Sequence, residues 1–253
     1  MNFSKLSVVV TGASGGLGRA MAIGFARDGA TVIGFGRSAA GLAETQALCP
    51  SGKMFYVAGD LTLKSDVEAL FAEAALRTGH VDVLVNNGAR YPKTGFISEP
   101  FEDWEHAVIT NVIGTARCCH LALPGMLQRG FGRIVNVGTF AWMGPIPNAS
   151  AYSTSKGSIR PLTQSLASEV DRAQYPDVLI NEFIPGTYRT GMSDTGEEPS
   201  TVYTHLRSLV SLPSHGPTGQ TFFKSDMLQE PVRLKTRIKR AVSRATFGIV
   251  RTE

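Results

Sequence analysis

Leu6-Ser7-Val8-Val9-Val10-Thr11-Gly12-Ala13-Ser14-Gly15-Gly16-Leu17-Gly18 sets an apolar run directly before four closely spaced glycines. The apolar run is too short for a signal-peptide core and reads as a first buried strand. Helical spacing begins at Leu17 and continues to Asp28, which places the glycines at a strand-to-helix junction. Glycine permits the tight turn there. It also lets backbone N–H groups at the positive end of a helix approach an anion. A glycine turn that holds nothing is the plainer alternative, but a dinucleotide-binding loop needs this junction.

Working outward, short β-branched runs recur at Val8–Val10, Thr31–Phe35, Met54–Val57, Val81–Val85, Arg133–Val137 and Val178–Ile184. Helical segments lie between them at Leu17–Asp28, Ser65–Thr78, Asp103–Gln128 (with a break) and Tyr152–Asp171. Continuous apolar strands alternating with helices predict a parallel sheet covered on both faces, in a single doubly wound α/β domain of Rossmann type. Gly191–Pro199 is polar and bounded by Gly and Pro, and is expected to be a mobile loop, with Pro199 opening the next helix.

The 253 residues suffice for one such domain, and the apolar (43%) and charged (18%) fractions are those of a folded globular protein. No apolar run approaches the roughly 20 residues needed to span a bilayer. Cys49, Cys118 and Cys119 show neither metal-ligand spacing nor an even disulfide set, and a cytoplasmic location is expected. Nor do the five histidines show ligand spacing, so no metal is expected.

The net charge of +4 is unevenly distributed. Residues 227–253 hold seven Lys or Arg against two Glu, a net of +5, leaving −1 for residues 1–226. The chain thus divides into a main domain, 1–226, and a basic C-terminal extension, 227–253. Pro231–Phe247 is expected to form an amphipathic helix. Its basic face would suit an acidic membrane surface or a partner; packing on its own domain or a second subunit is the favoured alternative. No aromatic interleaving accompanies the charge, so nucleic acid is not an expected partner.

Which dinucleotide is bound turns on the end of the second strand, Gly34-Phe35-Gly36-Arg37-Ser38. A carboxylate there would bind the ribose 2′-hydroxyl of NAD. None occurs between Thr31 and Ser38, and Arg37 suits the 2′-phosphate of NADP through paired, charge-assisted hydrogen bonds. Asp60, in Gly59-Asp60-Leu61, could meet the adenine amino group or cap a helix.

Tyr152-Ser153-Thr154-Ser155-Lys156 puts Tyr and Lys one helical turn apart. A nearby ammonium stabilises a phenolate, and so lowers a tyrosine pKa from about 10. Tyr152 could then act as the acid in carbonyl reduction or the base in alcohol oxidation.

The glycine loop, Asn86-Asn87-Gly88-Ala89, Asn111, Tyr152 with Lys156, and Pro185-Gly186 occur in an order and spacing that resemble the short-chain dehydrogenase/reductase family. The resemblance covers about residues 5 to 223. It implies a sheet of about seven strands, the last at Gly219–Phe223, and an NADP(H)-dependent oxidoreductase. By resemblance Tyr152 is the proton donor and acceptor, Lys156 lowers its pKa and holds the nicotinamide ribose, and Asn111 holds a water in a proton relay. Gly12, Ser14, Gly15, Gly16, Leu17 and Gly18 would cradle the phosphates. Arg37 and Ser38, Asp60 and Leu61, and Asn87, Gly88 and Ala89 would line the adenosine side. Pro185, Gly186, Thr187 and Thr190 would contact the nicotinamide end. A homodimer or homotetramer through the helices bearing Asn111 and Tyr152 is also implied.

The sequence departs from the family pattern in four places. Thr139 stands where the family carries its catalytic serine, 13 residues before Tyr152. A threonine hydroxyl can still polarise a carbonyl, although its methyl stiffens χ1 and narrows the pocket. Gly88 and Ala89 exchange places relative to the family's Asn-Asn-Ala-Gly. Lys224-Ser225-Asp226 replaces an Asp-Gly-Gly. The stretch after Pro185 is short for a lid, which implies an open site for a bulky or carrier-bound carbonyl or alcohol. These departures keep two alternatives in view. One is the same fold in a non-redox role, as a lyase, a dehydratase or a cofactor-binding partner. The other is an interaction protein acting through its basic tail. Trp142, Met143, Phe96 and Tyr188 are candidates for either the substrate pocket or the core.

Overall fold

The computed structural model describes residues 1–191 and 193–229. Strands β1 (Ser7–Thr11), β2 (Thr31–Gly36), β3 (Met54–Ala58), β4 (Val83–Asn86), β5 (Gly132–Val137), β6 (Val178–Ile184) and β7 (Thr221–Phe223) are all parallel. A two-residue strand, β8 (Asp226–Met227), pairs antiparallel with β7, so the expected seven strands become eight. It straddles the division drawn between residues 226 and 227. The predicted helix at Pro231–Phe247 lies outside the described residues.

The strand order is β3-β2-β1-β4-β5-β6-β7-β8. It reverses direction between β1 and β4, and open α/β sheets bind ligands in the crevice at such a point. Successive residues of each strand face opposite layers. Val8 and Val10 join the layer of α1 (Gly16–Arg27), α2 (Ala39–Ala47) and α8 (Val202–Val210). Val9 joins that of α3 (Lys64–Thr78), α5 (Thr115–Arg129) and α7 (Ile159–Glu169). An apolar strand with no polar alternation is therefore what this sheet requires.

Three elements differ from the sequence reading. Helix α2 was not expected, because it buries only Gly41, Leu42 and Thr45 and so shows little periodicity. Ser38 starts it by accepting a hydrogen bond from Gly41 N at 3.0 Å. The predicted helix 103–128 is α4 (Phe101–Val108), a π-helical turn at Ile109–Gly114, and α5. The predicted helix 152–171 divides at Ser158 into α6 (Ser150–Gly157) and α7. Among the described residues no helix is long and apolar enough to cross a membrane.

Helices α1 and α8 meet at Gly24, where an added Cβ would lie 2.1 Å from the Tyr203 ring. The Tyr203 hydroxyl donates to Asp28 at 2.7 Å, which fixes the ring in place. Gly24→Ala should therefore cost about 1–3 kcal/mol through overpacking, read as a lower thermal midpoint.

Candidate active site

A cavity of about 1110 Å³ runs along the carboxyl ends of the strands, lined by the segments that leave β1 to β6. Thr11, buried at the end of β1, links that strand to the loop after β4. Its hydroxyl accepts from Asn87 N at 3.0 Å and Gly88 N at 2.9 Å, and its carbonyl accepts from Asn87 Nδ2 at 3.0 Å. Asn87 thus braces the two loops. The approach is so close that a Cβ at Gly12 would lie 2.7 Å from Asn87 Nδ2.

Gly12, Ser14, Gly15, Gly16 and Leu17 line the cavity; Gly18 sits behind, where a Cβ would fall 2.1 Å from Gly12 O. Gly15 caps α1 with no side-chain hydrogen bond, and the space beside it is open. The first-turn N–H groups of a helix need outside acceptors, and this cradle fits the pyrophosphate of a dinucleotide.

Arg37, Ser38, Asp60, Leu61, Asn87, Gly88 and Ala89 line one end of the cavity. Arg37 is exposed. Beside it, Gly36 brings no side chain, and a Cβ there would be 3.1 Å from Ser14 Oγ. Asp60 accepts from Thr62 N at 2.8 Å in a turn ahead of α3. Burial raises its carboxyl, but the Thr62 hydrogen bonds and the charges of His106 and Arg37 outweigh this and leave its pKa below the ordinary value.

At the other end, Thr139, Tyr152 and Lys156 share the wall with Pro185, Gly186, Thr187 and Thr190. Thr139 leaves β5, and Tyr152 and Lys156 project from α6. Lys156 is 4% exposed and its Nζ donates to Val137 O at 2.7 Å. Burial pulls its pKa down to about 8, with only Glu182 opposing. Burial, reinforced by Tyr91, pushes Tyr152 up to about 12. The net shift of Tyr152 is thus upward, against the lowering expected from Lys156, whose ammonium is directed at the Val137 carbonyl.

Asn111 lies outside the cavity wall, fully buried in the π-helical turn. Its Nδ2 donates to Arg90 O at 2.9 Å and to Ser155 Oγ at 2.8 Å, and its Oδ1 accepts from Arg90 N at 2.8 Å. Both amide hydrogens are therefore used in tying the loop after β4 to α6.

Residues 6–200 match the family described as short chain dehydrogenase. The chain belongs to the short-chain dehydrogenase/reductase family. It is 36% identical over 191 residues to the 2-(R)-hydroxypropyl-CoM dehydrogenase of Xanthobacter autotrophicus, covering 73% of this chain and 75% of that one. It is 36% identical over 168 residues to a 3beta-hydroxysteroid dehydrogenase of Mediterraneibacter gnavus, covering 65% and 60%. Among solved structures, the 3-ketoacyl-(acyl-carrier-protein) reductase of Brucella melitensis, complexed with NADH, superposes with a TM-score of 0.79 at 25% identity. That match covers 86% of this chain and 96% of the other.

Two features of this short-chain dehydrogenase/reductase site were not anticipated. Tyr91 lies with its ring centroid 4.3 Å from that of Tyr152, and Lys93 Nζ sits 5.3 Å from the Tyr91 ring. The only sequence signal was their position just past the Asn86–Ala89 signature. In addition, the described residues of the stretch expected to be a mobile loop carry isolated backbone bridges. Tyr188 bridges Glu197, Thr190 bridges Ser193, and Lys224 pairs with Glu197. Pro199–Thr201 then leads into α8, as Pro199 suggested. Of the ambiguous residues, Tyr188 lines the cavity, while Trp142, Met143 and Phe96 do not.

Lys156 makes stability depend on pH. Its folded pKa of about 8 lies below the ordinary 10.5, so between those values the unfolded chain holds a proton that the folded chain has released. This contribution to stability therefore rises with pH across that window, and the full cost of the buried ammonium is present below it. In urea titrations the unfolding free energy should therefore rise between about pH 8 and pH 10.5, and Lys156→Met should flatten that rise.

Proposed function

We propose that the protein is an NADP(H)-dependent oxidoreductase acting on a carbonyl/secondary-alcohol pair. The observation that carries this reading is the placement of Thr139, Tyr152 and Lys156 on the wall of the cavity that the glycine loop opens. The relatives named as dehydrogenases and reductases support the reaction class. The bound nicotinamide supplies or accepts the hydride.

In this reading the chain's own groups manage the substrate oxygen. Thr139 donates a hydrogen bond to it and Tyr152 transfers the proton. A phenol held up to about 12 keeps its proton at neutral pH, which is the form reduction needs. The phenolate left behind requires the Lys156 ammonium. Gly12 to Leu17 hold the pyrophosphate, Asn87 braces that loop, and Asn111 holds the loop after β4. Arg37 lines the cavity just past β2, where no carboxylate stands, which supports NADP over NAD.

NADPH oxidation against a panel of ketones tests the reaction. Tyr152→Phe should lower turnover by about 10²–10⁴-fold and leave cofactor affinity within a few-fold of the parent. Full turnover in that variant would refute the mechanism. Conversion of a substrate with no net change in NADPH would identify redox-neutral chemistry instead.

Cofactor choice is tested separately. A charge-assisted hydrogen bond contributes roughly 1.5–3 kcal/mol, so Arg37→Ala should weaken NADPH binding by about 10- to 100-fold and leave NADH binding nearly unchanged. Equal effects on both cofactors would exclude a 2′-phosphate contact.

A further inference from the structure

Glu182 is wholly buried in β6, a position that a parallel sheet covered on both faces reserves for apolar side chains. It lies in a polar row across four strands. Asn86 pairs in register with Asn136, Asn136 with Glu182, and Glu182 with Thr221. Asn86 Nδ2 donates to Asn136 Oδ1 at 2.9 Å, and Thr221 Oγ1 donates to Glu182 Oε2 at 2.6 Å. Glu182 Oε1 accepts no hydrogen bond.

A buried carboxylate with one neutral donor is costly unless a cation compensates it. The carboxylate packs on Gly138, where a Cβ would fall 1.9 Å from Oε1. The residue before it, Val137, holds Lys156 Nζ through its carbonyl. Ammonium and carboxylate therefore grip consecutive residues at the end of β5. Among the described residues, Arg160 on α7 also acts on Glu182, its guanidinium 4.2 Å from the Trp142 ring, and Tyr152 stands one turn before Lys156 on α6. The facing side chains of β4, β5 and β7, namely Asn86, Asn136 and Thr221, carry no charge.

We infer that Glu182 is a positioning residue, a buried counter-charge under the cavity floor that keeps Lys156 protonated beside Tyr152. Burial lowers the pKa of the ammonium, and Glu182 is the group whose charge opposes this. For the carboxylate itself, burial raises the pKa, and the Thr221 bond, Arg160 and Lys156 offset only part of that rise. The catalytic meaning of the inference rests on the function proposed above; the electrostatic coupling does not.

The test follows the Lys156 13Cε resonance with pH in the full chain, labelled with 13C-lysine and assigned with Lys156→Arg. In Glu182→Gln, which keeps the shape of the side chain and an acceptor for Thr221, the midpoint should fall by about one pH unit, tenfold in proton affinity. Thr221→Val, which removes only the donor that stabilises the ionised carboxylate, should shift it in the same direction by less. This second variant carries the test if Glu182→Gln does not fold. An unchanged midpoint in a folded variant overturns the inference. The titration needs no turnover, so a shifted midpoint in a protein that reduces no ketone would refute the oxidoreductase reading and leave the coupling intact.

Discussion

The end of β1 is held to the end of β4 by three hydrogen bonds centred on Thr11, and the cleft is built outward from that junction. The strand order reverses at this point, so no crossover helix covers the gap between the two loops. Small residues are forced there by contact as well as by turn geometry. A Cβ at Gly18 would strike the Gly12 carbonyl, and one at Gly88 would lie 2.9 Å from Leu61 Cδ1. The loops are thus close enough to form one continuous floor, with the uncapped start of α1 at one side. Asn111 extends the same bracing to α6, so the helix carrying Tyr152 and Lys156 is referenced to the glycine loop through hydrogen-bonded neighbours.

The parts legible in the sequence are those where one physical requirement dominates. Val178–Ile184 reads as a strand because its apolar and β-branched content serves a sheet buried on both faces, and its bounds agree with the structure. The glycine spacing and the Tyr152–Lys156 interval are likewise set by a single local geometry. Helix α2 was illegible because Ala39–Ala47 buries too few large side chains to show a period. The division at Ser158 was hidden because apolar spacing continues through it. Tyr91 could not be placed, since the path of the loop after β4 depends on the bond from Arg90 to Asn111, twenty-one residues further along the sequence.

Glu182 shows how a functional departure can hide inside a strong structural signal. Its neighbours Ile180, Phe183 and Ile184 are apolar and make the segment a strand whatever residue 182 is. What makes the glutamate possible is remote in sequence: Gly138 leaves the space, Thr221 supplies a donor, and Lys156 and Arg160 supply charge. Positions 138 and 182 are therefore sterically coupled, because any side chain at 138 would displace the carboxylate. The same contact explains why the residue before Thr139 is glycine. The cost of burying Lys156 and Glu182 is then shared between them, because each charge offsets part of the desolvation of the other.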